Sequence, residues 1–226
     1  MVIGNGLLAR AFSHFENDDS VIVFASGVSN SGSNDPLQYE REINLLKQYL
    51  STKVCLVYFS TVSIYDSSLK SSLYIKHKKT VEELISNAGI NYLIFRLPIL
   101  IGKTTNPHTL TNHFFHQINT GLPLKIFSKA CRYLLDVDDV VTVLNPIIGN
   151  KLQHNKIWNV CFENKINVKE LVRLMEKTTG KSTEKNLIDK GDCYEVPNKE
   201  FLDYLNEIKF KTDEFYNERI LLKYYS

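Results

Sequence analysis

Along the first half of this chain, short apolar runs alternate with segments of helical period, and that alternation limits the fold more than any other feature. Val2-Ile3 reads as a very short strand, and residues 7–15 as a helix. Residues 21–25 form a continuous apolar run, the signature of a strand buried on both faces. A loop of Ser, Gly, Asn and Asp follows, and Asp35-Pro36 then opens a helix, because proline suits the first helical turn. On it Tyr39, Ile43, Leu46 and Leu50 recur at helical spacing. Residues 53–59 form another apolar strand, 74–87 a helix stopping near Gly89, and 92–95 a strand. The pattern is β-α-β-α-β-α-β, which predicts a parallel sheet with helices on both faces. Residues 110–119 and 168–178 read as helices and 157–161 as a short strand. The last forty-odd residues are polar and lysine-rich, with weak periodicity.

At 226 residues the chain suits one domain, 1–226, with an interleaved C-terminal segment from about 105 onward. Its formal net charge of +2 gives no reason to expect nucleic acid or an anionic membrane as partner. No apolar run approaches the roughly 18 residues that span a bilayer. Met1 leads directly into a strand, without a basic-then-apolar leader. Cys55, Cys131, Cys161 and Cys193 are far apart and form no C-x-x-C, so reduced thiols in a cytoplasmic setting are expected. His113 and His116 lack a nearby carboxylate or cysteine, and no metal site is expected.

Two constellations carry chemistry. Gly4-Asn5-Gly6-Leu7-Leu8-Ala9 places G-x-G-x-x-A between a strand and a helix. The first glycine permits the turn, the second lets backbone approach a pyrophosphate, and the small third residue lets helix and strand pack closely. The alternative is a tight turn without a ligand. The second is Tyr74-Ile75-Lys76-His77-Lys78, in which Tyr74 and Lys78 share one helix face. A lysine cation close by favours phenolate, which suits a tyrosine exchanging a proton with a hydroxyl. The preceding strand ends in Ser60-Thr61-Val62-Ser63, where ligands bind in open α/β sheets, and Thr61 is the favoured partner of Tyr74. A solvated, ion-rich helix and simple capping hydroxyls are the alternatives.

Together these motifs resemble the extended short-chain dehydrogenase/reductase superfamily, in its NAD-dependent epimerase/dehydratase branch. The resemblance covers roughly residues 1 to 180. It also rests on Phe24-Ala25-Ser26-Gly27, Ser60 to Tyr65, Arg96-Leu97-Pro98 with Gly102, Arg132 to Asp139, and Trp158-Asn159-Val160. It implies a Rossmann-like α/β fold with a small C-terminal substrate-binding portion, a nucleotide-sugar substrate, NAD(H) or NADP(H), and a homodimer through the helices of residues 36–49 and 74–87. It implies that Tyr74 is the acid/base, that Lys78 binds the nicotinamide ribose, and that Thr61 orients substrate. Gly4, Asn5, Gly6, Leu7, Ala25, Ser26, Arg96 and Pro98 would line the cofactor. Ser63 and Arg132 would meet the substrate, Arg132 at its diphosphate; a salt bridge of Arg132 with Asp136 or Asp138 is the alternative.

The chain departs from the family's pattern in four places. Two strands that normally separate the glycine turn from the Phe24-Ala25-Ser26 strand are absent, and with them the acidic residue that binds the adenosine ribose. The rival reading makes residues 21–24 the second strand itself. Val62 and Ser63 stand where dehydratases have Asp and Glu, which removes the carboxylates needed to lose water. The spacer from Tyr65 to Tyr74 is short, and Ile99 stands where the family often has Asn. A keto-sugar reductase or an epimerase of polysaccharide biosynthesis is expected, with a non-catalytic dinucleotide-binding regulator or partner subunit as the alternative.

Overall fold

The computed structural model describes residues 1–150 and 155–226. The chain begins with β1 (Val2–Ile3), α1 (Leu7–Ala11), β2 (Val21–Phe24), α2 (Pro36–Lys47), β3 (Cys55–Thr61), α3 (Leu73–Ser86) and β4 (Tyr92–Leu97). It continues with β5 (Ile99–Ile101), α4 (Leu110–Thr120), β6 (Leu124–Phe127), β7 (Cys131–Arg132), β8 (Leu134–Asp136), α5 (Val137–Gly149) and β9 (Lys156–Asn159). Last come β10 (Ile166–Asn167), α6 (Val168–Thr179), β11 (Lys185–Ile188), α7 (Lys199–Glu207) and α8 (Tyr216–Tyr225).

The central sheet has five strands in the order β1-β2-β3-β4-β9, and every pairing in it is parallel. β2 lies directly beside β1, with Val2 opposite Val23, and among the described residues no strand lies beyond β1. The expected loss of two strands on that side therefore holds. All residues of β2 and β3 are buried. Their side chains alternate between two cores, as the period of two in a strand requires. Val21, Val23, Val57 and Phe59 face one core, with Phe95, Val140 and Leu144; Ile22, Phe24, Leu56 and Tyr58 face the other, with Leu46 of α2 and Val81 and Ile85 of α3. Each fully buried Leu, Val or Phe contributes about 1.5–3 kcal/mol relative to exposure.

Local signals set the helix ends. Asp35 accepts from Leu37 N at 3.0 Å, with Pro36 at the first helical position. Ser72 accepts from Ile75 N at 3.2 Å and starts α3 one turn before Lys76. Gly180, at φ +66, closes α6 in the left-handed conformation. The helix expected over residues 7–15 stops at Ala11 and tightens into a 3-10 turn at Ser13–Phe15.

The C-terminal region differs from expectation in two respects. Its weak periodicity conceals α7 and α8, whose Phe201, Leu205, Tyr216, Ile220 and Leu221 are buried in the first core. The thiols are not all reduced: Cys131 and Cys193, 62 residues apart, form a disulfide, while Cys55 and Cys161 are free and buried. Spacing along the sequence cannot reveal a pairing that β7 and the returning C-terminal segment bring together. Trp158 of β9 is buried, its ring 6.3 Å from that of Phe201 and 5.8 Å from that of Tyr204 on α7. Among the described residues, no helix is long and apolar enough to cross a membrane.

Candidate active site

The glycine turn stands at the C-terminal end of β1. Gly4 has φ +127, and a Cβ there would lie 2.6 Å from the Ala25 carbonyl oxygen, so the turn presses against the end of β2. Gly6 has the opposite surroundings: nothing lies within 4 Å of the position its Cβ would take. Its backbone is open to a ligand. The Asn5 carbonyl accepts from Arg10 Nη1 at 3.0 Å, and Arg10 Nη2 donates to the Lys103 carbonyl at 3.2 Å. Leu7 turns its side chain toward Gly102, 2.8 Å from where a Cβ would sit there. At the end of β2, Arg41 of α2 donates to Ser26 Oγ at 3.0 Å and to the Ser26 carbonyl at 2.8 Å.

Thr61 ends β3, and its hydroxyl accepts from Ser63 N at 3.0 Å. Tyr74 and Lys78 come to the same place from one face of α3, and both are buried. Burial pushes the Tyr74 phenol up, the neighbouring Thr61 hydroxyl pulls it back, and Glu42 raises it again. Tyr74 is thus held protonated at neutral pH. The expectation of a phenol lowered by Lys78 does not hold, because burial acts most strongly on it and raises it.

Its partner is Glu42 of α2, a residue that sequence reasoning missed. Glu42 is fully buried. Its carboxylate accepts from Lys78 Nζ at 3.2 Å, Tyr58 OH at 2.6 Å and Val28 N at 2.5 Å, and it lies 2.9 Å from His77 Nε2. Burial pushes the carboxyl up, but Lys78, His77, Tyr58 and the Val28 N–H together outweigh that and hold it at about 2. Burial lowers the Lys78 ammonium, and Glu42 opposes the shift. Lys78 Nζ also lies 2.8 Å from Tyr58 OH and 5.9 Å from the centre of the Tyr74 ring. A signal for Glu42 exists: it interrupts the apolar stripe of α2, three residues after Tyr39 and four before Leu46.

A second buried carboxylate binds Arg96. Glu82, four residues after Lys78, takes Arg96 Nε at 3.0 Å and Nη2 at 2.6 Å, and Ser60 Oγ donates to it at 2.5 Å. Arg96 Nη1 lies 2.9 Å from Tyr65 OH. Arg96 is therefore engaged in tying α3, β3 and β4 together, and Pro98 follows it, half-buried, between β4 and β5.

Ser63 and Arg132 lie under a returning C-terminal segment, residues 192–198. Asp192 accepts from Ser67 N at 2.8 Å, Tyr133 OH meets Glu195 at 3.1 Å, and Asn159 Nδ2 donates to the Pro197 carbonyl at 2.9 Å. Tyr194 is pushed up to about 12 by burial, against Arg132 and a hydrogen bond with Ser63. Cys193 fastens the segment to Cys131, the neighbour of Arg132. Arg132 Nη1 lies 3.3 Å from Asp66, and not against Asp136 or Asp138, which take Lys223 instead.

These residues fit a dinucleotide. Gly6 offers open backbone, and Gly27 packs directly over Lys78 and Glu42: a Cβ there would lie 2.9 Å from Nζ and 3.1 Å from Glu42 Oε1. An ammonium carries three donors, of which Glu42 and Tyr58 take two.

Comparison with known proteins agrees with this geometry. The fold is shared with PbgP3 protein from Burkholderia pseudomallei, at a TM-score of 0.73 and 18% identity over 95% of this chain and 77% of that one. It is shared with the Thermus thermophilus UDP-glucose 4-epimerase solved with NAD, at 0.68 and 18% over 96% and 80%. RMD from Pseudomonas aeruginosa, solved with NADPH, gives 0.67 and 16% over 90% and 80%. At these identities the likeness is one of fold. No curated protein matches the sequence. Residues 4–161, well over half of the chain, match the model of the NAD dependent epimerase/dehydratase family, and the chain belongs to that family.

Proposed function

We propose that the chain is an NAD(P)-dependent enzyme acting on a nucleotide sugar, with hydride transfer at a sugar carbon and Tyr74 as the proton donor or acceptor. The observation that carries this reading is the hydrogen bond between Tyr74 and Thr61 at the end of β3, with Lys78 Nζ 5.9 Å from the Tyr74 ring and an open glycine turn at the end of β1. Gly4, Asn5 and Gly6, with Ala25 and Ser26 opposite, would hold the cofactor's phosphates, and Lys78 would hold its nicotinamide ribose. The bound nicotinamide supplies or accepts the hydride.

Tyr74 gives its phenolic proton to the sugar's carbonyl oxygen when that carbonyl is reduced, and takes the hydroxyl proton in the reverse direction. Thr61 orients the same oxygen by hydrogen bonding. Both directions of this proton transfer use the same residues, as a keto-sugar reductase or an epimerase requires. Ser63 and Arg132 would face the sugar and its diphosphate, and the segment from about 105 onward would shape their pocket. A homodimer through α2 and α3, whose shared groove is lined by Pro36, Tyr39, Ile43 and Leu73, belongs to the same reading.

A second reading, a non-catalytic dinucleotide-binding regulator or partner subunit, is favoured by the segment 192–198 lying over Ser63 and Arg132. Calorimetric titration with NADH and NADPH, followed by turnover of keto-sugar nucleotides, separates the two. Tyr74→Phe is expected to cut turnover about 10²–10⁴-fold while leaving the melting temperature nearly unchanged. Binding without turnover of any such sugar would support the regulator.

A further inference from the structure

No helix or strand runs through residues 192–198, so side chains hold this segment over Ser63 and Arg132. Tyr194 and Val196 are buried in a small cluster with Val62, Tyr133 and Cys161, apart from the two large cores. The Tyr194 hydroxyl is hydrogen-bonded to Ser63. The other attachments lie near the surface: Asp192 accepts from Ser67 N at 2.8 Å, and the exposed Glu195 meets Tyr133 OH and Lys165. Exposed ion pairs of this kind contribute little by themselves. A segment with few backbone bonds and one small apolar cluster opens locally at low cost.

One attachment is covalent. Cys193, inside the segment, is joined to Cys131, the neighbour of Arg132, across 62 residues of chain. Arg132 is itself occupied there: its Nη1 donates to the Cys131 carbonyl at 2.6 Å and lies 3.3 Å from Asp66. Cys193 is exposed while Cys131 is buried, so a thiol in solution reaches the bond from the Cys193 side.

We propose that the Cys131–Cys193 disulfide is a redox latch on a gate: oxidised, it keeps residues 192–198 over Ser63 and Arg132 and bars a nucleotide sugar; reduced, it lets the segment lift and opens the site. The reductant is a dithiol. Its thiolate attacks Cys193 Sγ, the S–S bond breaks, and Cys131 leaves as a thiolate that takes a proton. The second thiol of the reductant then displaces Cys193, which also leaves as a thiolate and is protonated, and the reductant becomes a disulfide. Both protons of the dithiol end on the two cysteines. The inference rests on the nucleotide-sugar reading proposed above. A latched enzyme and a non-catalytic subunit share the covered site, and reduction separates them.

Cys161 tests the latch without any ligand. Its buried thiol packs in the cluster with Tyr194 and Val196, whereas the other free thiol, Cys55, is buried in the first core. Iodoacetamide labelling, mapped by mass spectrometry, should spare both in the oxidised chain. After reduction with dithiothreitol and its removal, Cys161 should label roughly 10-fold faster or more, with Cys55 still protected because the sheet stays folded. Cys131→Ser with Cys193→Ser should behave in the same way without reductant. In calorimetry with UDP, dTDP and GDP, at least one should bind the reduced chain roughly 10-fold or more tightly than the oxidised chain. A Cys161 that stays protected after reduction overturns the latch. A Cys161 that becomes reactive while a nucleoside diphosphate binds both forms equally overturns the gate. If no nucleoside diphosphate binds either form, the nucleotide-sugar reading falls, and the gate falls with it.

Discussion

The two ends of the crevice are finished in opposite ways. Around Lys78 the charges are buried or half-buried, and each is answered: Glu42 against Lys78, Glu82 against Arg96, with Tyr58, Ser60 and Val28 filling the remaining bonds. Around the glycine turn the groups are exposed, and the sheet simply ends. Acid–base chemistry needs groups fixed before the substrate arrives, and a buried network fixes them. A turn that receives a flexible ligand can stay solvated until the ligand arrives. The chain has kept the first kind of structure intact while shortening the second.

The largest test of that contrast is Glu42→Gln, which leaves the Lys78 ammonium buried without its counter-charge. Breaking a buried pair in this way typically costs about 3–5 kcal/mol, read as a lower urea midpoint. Adding Lys78→Met should recover much of the loss, because no buried charge then remains; a simple sum of the two effects would show that they are not a pair. Acid gives a second test. Glu42 is held at about 2, below its ordinary 4.5, so its contribution is complete above pH 4.5 and is lost as the pH falls toward 2. Its share is roughly 3 kcal/mol, and the slope should vanish in Glu42→Gln.

The disulfide extends the tied-down end to the segment over Ser63. Cys131→Ser with Cys193→Ser should cost about 2–4 kcal/mol in thermal or urea unfolding. The two glycines complete the series. Gly4→Ala combines a positive φ with a backbone oxygen 2.6 Å from the new Cβ, and should cost about 1–3 kcal/mol. Gly6→Ala meets open space and should change stability by no more than about 0.5 kcal/mol, yet weaken dinucleotide binding by crowding the approach. Equal effects from the two would erase the distinction between a turn that packs and a turn that binds.

Much of the sheet half was readable in the sequence because its signals are local. Apolar runs, Asp35-Pro36 and the Tyr74–Lys78 spacing each report on a single element, and each element stands where they put it. The partners of those residues were not readable. Glu42 meets Lys78 only because α2 and α3 lie side by side on one face, and Cys131 meets Cys193 only after the chain has turned back from α6. Tyr74 is raised chiefly by burial, which a lysine four residues along the helix does not report, so the nearby lysine alone gave the wrong direction. In α7 and α8 tyrosines share the buried face with aliphatic residues, and an aromatic with a polar tip blurs the apolar stripe.

Trp158 is the chain's single tryptophan, and it sits where β9 meets α7. Its fluorescence is therefore a one-site reporter of that seam. Emission stays blue while α7 is docked and shifts to the red once water reaches the indole. Followed beside the circular dichroism of the whole chain, it reveals whether the C-terminal helices leave the sheet in a step of their own or only when the sheet itself gives way. Coincident curves would make the two regions one cooperative unit.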